Sequence, residues 1–105
     1  MPQYAVIGTH PPDNCPLTNK AVRAFAQKNS AQLPELAKKK GLKVLASLHL
    51  DPNHRAFIWF EAPTAEAVRD LLAEAGFLHY AELNFHLVTP LDDLMKQADR
   101  FPTLY

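Results

Sequence analysis

Five histidines and a single cysteine are the residues of this 105-residue chain that could do chemistry. Imidazole nitrogen and thiolate sulfur are donors that zinc, copper and nickel accept. Cys15 lies five residues after His10, inside the segment His10-Pro-Pro-Asp-Asn-Cys-Pro16. Three prolines in seven residues exclude regular structure and predict a stiff loop, which lowers the entropy lost in holding a ligand. Pro16 is expected in the first turn of the following helix. Cys15 would then stand near the N-cap, where the positive end of the helix dipole favours a thiolate. His54 follows Asp51-Pro52-Asn53, which is turn chemistry.

These residues are remote in sequence, so only the fold can bring them together. Residues 4–9 read as a first strand. A helical pattern from Leu17 to about Lys28 places Ala21, Val22 and Phe25 inward. A second helix from about Gln32 to Lys40 has Pro34 in its first turn and ends at Gly41. Residues 42–50 and 55–61 read as the second and third strands. A helix from Pro63 to Ala75 buries Val68, Leu71 and Leu72 and stops at Gly76. Leu78 to Val88 reads as the fourth strand, and Leu91 to about Asp99 as a short final helix.

The order β-α-β-β-α-β is the split βαβ of the ferredoxin-like fold, an α+β class. It predicts a four-stranded antiparallel sheet in the order 4-1-3-2, with helices on one face. Residues 1–105 form one domain, with 90–105 as a C-terminal extension. Strict alternation assigns Tyr4, Val6, Leu45, Phe57, Trp59 and His86 to the open face, which is too apolar to leave wet. Homodimerisation through that face, helped by the apolar tail, is the expected remedy.

In this topology His10, His49, His54 and His79 all fall at one rim of the sheet, with Cys15 in the loop above. Adjacency of the first and third strands favours His10, Cys15 and His54 as metal ligands. Alternation puts His10 on the open face and His54 on the helix face, so a turn at Asn53-His54 must re-aim the second ring. His49 shares the parity of His10 and is its substitute partner. His79 is a further candidate. Asp13 and Asn14 either orient a ligand ring or make the turn. Glu82 and His86 share one face as an acid–base pair or a polar seam.

The loop His10 to Pro16, taken with Asp-Pro-Asn-His54, resembles a group of small proteins of the dimeric α+β-barrel superfamily. The run Phe60-Glu-Ala-Pro-Thr-Ala-Glu-Ala-Val-Arg-Asp-Leu-Leu72 is similar to the third strand and second helix of small nickel-binding ferredoxin-like proteins of the same superfamily. The resemblance implies a homodimer with a metal site at the loop end, with His10, Cys15 and His54 the matching positions.

Composition bounds the function. Eleven Lys+Arg balance eleven Asp+Glu, which argues against nucleic-acid or anionic-membrane binding. No apolar run has the length of a membrane span, and Met-Pro-Gln-Tyr does not open a signal peptide. A lone cysteine fits a reducing compartment, so a cytoplasmic protein is expected. The leading reading is a small transition-metal-binding protein, a carrier, sensor or mononuclear centre. Zinc and copper suit the donor set best, and nickel fits it too. One alternative is an enzyme acting on a small apolar molecule between sheet and helices, near Trp59, Tyr4 and His86. Another is a reactive-thiol protein using Cys15 activated by His10. No organic-cofactor motif and no catalytic residue are assigned.

Overall fold

The computed structural model describes residues 1–105. Strands β1 (Gln3–Thr9), β2 (Lys43–Leu50), β3 (Arg55–Glu61) and β4 (Glu82–Val88) form one antiparallel sheet in the order β2-β3-β1-β4. Read from its other edge, this is the expected 4-1-3-2. Helices α1 (Lys20–Lys28), α2 (Leu33–Lys39) and α3 (Ala65–Glu74) lie between strands, and α4 (Leu91–Lys96) follows the last one. The class is α+β. No helix is long and apolar enough to cross a membrane.

Pairing fixes which side chains share a face, because residues directly opposite across an antiparallel ladder point the same way. Val6 pairs with Ile58, and Tyr4 with Phe60. Val6, Ile58 and Phe60 are buried in one core with Leu33 and Ala37 of α2 and Val68, Leu71 and Leu72 of α3. Tyr4 packs against that core as well. The expected placement of Tyr4 and Val6 on the open face is therefore corrected. Phe57, Trp59 and His86 do lie on the open side, together with Ala5 and Ile7.

β2 carries a second correction. Its register shifts between Val44 and Ala46, so Leu45 sits in a bulge and the alternation restarts beyond it. Leu48 thereby pairs with Phe57 on the open face, and His49 pairs with Ala56 on the helix face. His49 does share a side with His10, but it is the covered side.

Helix boundaries also moved. α1 begins at Lys20 and is capped by Asn19, whose side-chain oxygen accepts from the Val22 N–H at 3.0 Å. Residues 16–18 form a turn, so Cys15 is not at the N-cap. Ala21 faces solvent, and Val22, Phe25 and Ala26 are the half-buried positions. The segment read as the beginning of β4 is a short 3-10 turn, Phe77–His79, so His79 does not open that strand. It packs instead against Phe25, with ring centroids 4.8 Å apart and the planes tilted by 60°.

Candidate metal centre

The donors come from three segments that the ladder and the loop hold in place. His10 continues β1 beyond Thr9, and His54 precedes Arg55 of β3, the residue paired with Thr9. The His10 N–H donates to the His54 carbonyl at 3.2 Å, so the ladder itself places the two rings side by side. Their centroids are 5.5 Å apart in an edge-to-face arrangement. His10 has the parity of Val6 and Gly8, and His54 that of Ala56 and Ile58, so both belong to the helix side. The expected conflict of parity came from the misassigned faces. His54 nonetheless adopts a left-handed conformation, φ 56°, that ends the turn.

Cys15 reaches the same point from above. It exposes 2% of its surface. Its carbonyl accepts from Thr18 N–H at 3.1 Å and Asn19 N–H at 2.7 Å. Asn19 also reaches back to the Asp13 carbonyl at 2.9 Å, and Thr18 to that of Pro12 at 3.3 Å. Asp13 and Asn14 thus belong to a tied-down 3-10 turn. The Leu17 N–H donates to the Cys15 sulfur at 3.4 Å, which orients the sulfur in place of the expected helix dipole.

One donor atom each from His10, Cys15 and His54 lies within 4.8 Å of the other two. A tetrahedral ion with bonds of about 2.0–2.3 Å has ligand–ligand edges of roughly 3.3–3.6 Å. The three donors therefore need only small side-chain rotations to share one ion. Nε2 of His10 is buried and has no hydrogen-bond partner, the condition of a nitrogen whose lone pair or proton is meant for something else. Burial, reinforced by the neighbouring His54 and then His49, holds the His10 imidazole below the usual histidine range. That favours the neutral ring, the form that ligates.

Of the other candidates, His49 is directed elsewhere by a polar contact, its Nδ1 lying 2.7 Å from the Asp51 carboxylate. It stands at the edge of the site without joining the three donors. His79, on its separate turn, is not among them, and His86 lies on the opposite face of the sheet. A cleft of about 280 Å³, lined by Cys15, Thr18, Asp51 and His54 among others, connects the cluster to solvent. It offers an ion a way in.

The left-handed His54 has a consequence for stability. A non-glycine residue in this region costs on the order of 1 kcal/mol, and glycine relieves it. His54→Gly is expected to exceed His54→Ala in unfolding free energy by about 1 kcal/mol in urea titrations of metal-free protein. Equal stability of the two variants would show that the conformation carries no strain.

The sequence matches no protein-family model and no curated protein.

Proposed function

We propose that this chain binds one transition-metal ion through His10, Cys15 and His54. The observation that carries the reading is the convergence of three donor atoms, from three separate segments, within 4.8 Å of one another. The unpartnered, buried His10 nitrogen supports it. Two nitrogens and one sulfur suit zinc or copper, and accommodate nickel. Three protein ligands leave a position for water or a small molecule, as in catalytic and sensing sites rather than closed structural ones. A thiolate ligand must stay reduced, which fits a cytoplasmic setting.

Strand order and helix placement support a ferredoxin-like domain of the dimeric α+β-barrel kind. The chain exposes 7383 Å², against roughly 5,900 Å² for a compact monomer of this mass. The excess, about 1,500 Å², falls in the range that each partner of an obligate homodimer buries. Two copies would meet through their open sheet faces.

Elemental analysis of tag-free protein tests the metal reading. Near-stoichiometric zinc, copper or nickel is expected in the wild type, with strong loss in His10→Ala, Cys15→Ser and His54→Ala. Metal retained at the wild-type level in all three variants would sink the proposal.

A further inference from the structure

The donor cluster does not stand alone under the helices. Beside it lies a cavity of about 250 Å³, and its lining is almost entirely apolar. Val6, Ile58 and Leu83 form its floor on the sheet, and Phe77 and Ala26 contribute from the helical layer. His10, Cys15 and His49 form part of its lining too. An apolar cavity of about 150 Å³ takes a benzene-sized molecule, and ligand pockets begin near 300 Å³. The volume therefore suits a molecule of about one ring.

Gly8 keeps the space open. A Cβ built there would meet only Leu83, at 3.5 Å, an ordinary contact, so nothing in the packing demands glycine. One residue of the lining, Tyr80, carries a hydroxyl. The Tyr80 hydroxyl donates to Ser30 Oγ at 2.7 Å, and Ser30 donates in turn to the Ala75 carbonyl at 3.0 Å. That hydroxyl is thus already engaged. The remaining side chains of the lining with donor atoms are those of His10, Cys15 and His49, the first two of them proposed ligands.

We infer that this cavity binds a small, largely apolar molecule of about one ring, whose single donor atom occupies the open position of the ion. The apolar body of the ligand is read from the cavity alone. The donor atom rests on the metal site proposed above, and the experiment separates the two. The aromatic or branched body lies against Val6, Ile58 and Phe77. The donor end meets the ion, with His49 alongside. The expected alternative of an enzyme pocket near Trp59, Tyr4 and His86 is replaced, since none of the three lines this cavity.

Two probes make the test. Toluene has the body and no donor, and benzenethiol has both. Ligand-detected NMR on metal-free and zinc-loaded protein should show saturable toluene binding to both forms, one site per chain. Gly8→Val and Ala26→Leu, each checked by thermal melting, should weaken it at least tenfold, and Gly8→Ala should weaken it less. Benzenethiol should bind the metal-loaded protein at least tenfold more tightly than the metal-free protein. In cobalt(II)-loaded protein it should shift the visible bands. Absence of toluene binding from both forms, or toluene affinity unmoved by both folded cavity variants, overturns the apolar site. Toluene binding with benzenethiol indifferent to bound metal overturns the donor half alone. Failure of metal uptake, read by elemental analysis, overturns the metal proposal and that donor half while toluene reports separately on the cavity.

Discussion

Metal-free protein supplied with zinc is expected to melt about 15 °C or more higher, and the gain should vanish in Cys15→Ser and His10→Ala. The size follows from linkage. An ion present at a thousandfold excess over its dissociation constant stabilises the native state by about 4 kcal/mol, provided the unfolded chain binds it poorly. In a domain of this length each kcal/mol moves the midpoint by about 4–8 °C. The unfolded chain is a poor competitor here, because Cys15 and His54 are far apart in sequence and meet only in the fold. Acid should erode the gain, because protons compete with the metal for the same nitrogens. The metal-free fold has its own pH term. The folded His10 has a pKa below the histidine norm. Between that value and about 6.5 the unfolded chain binds more protons than the native one. This group's contribution is therefore complete above about pH 6.5 and declines as the pH falls through that window. Melting curves of metal-free wild type and His10→Ala between neutral and mildly acid pH should show the smaller acid loss in the variant. A wild-type melting temperature unmoved by excess zinc, copper or nickel at neutral pH would overturn the metal proposal.

What the sequence discloses about the site is adjacency, and what it conceals is direction. Strand order alone brings His10 beside His54, and the proline-rich loop marks Cys15 as fixed above them. Faces were harder to read. Tyr4-Ala-Val-Ile is apolar at every position, so alternation has nothing to alternate, and either face could have been the buried one. The answer lies in the pairing of Val6 with Ile58, a long-range fact. The bulge at Leu45 leaves no mark in Lys-Val-Leu-Ala-Ser, since no glycine or proline signals it. His54 is left-handed without being glycine, and only the turn that it closes reveals this. Asn19 was a legible helix cap three residues before Val22, but Pro16 offered a competing start. Apolar Leu78 likewise read as strand, although the backbone uses it in a turn that leads into buried Tyr80. The cavity is the least legible feature of all. It depends on what Gly8 and Ala26 leave unfilled between two layers, a negative space that residue types do not encode.

Placing lysine at both Leu48 and Phe57 is expected to convert a dimer into a monomer while leaving the metal stoichiometry unchanged. The two residues are cross-strand neighbours on the open face, and Leu48 is 56% exposed, so the charges can be solvated in the isolated chain. Across a two-fold axis the same patch meets its own copy, so each added charge is opposed by another of the same sign. Such juxtapositions cost several kcal/mol, which raises the dissociation constant at least a hundredfold. The C-terminal segment supplies a second handle. Leu91 is 70% exposed and Phe101 55%, an apolar arm with little of its own domain beneath it. Removal of residues 91–105 should weaken the same association without touching the ligands. The two faces of the sheet separate the two claims, because His10 and His54 lie with Val6 and Ile58, whereas Leu48 and Phe57 lie behind them. Sedimentation equilibrium and elemental analysis on the same samples read both. A wild-type chain that sediments as a monomer at all accessible concentrations would sink the pairing of open faces and leave the metal centre to stand or fall by its own test. Loss of metal on dissociation would instead mean that the second copy completes the site.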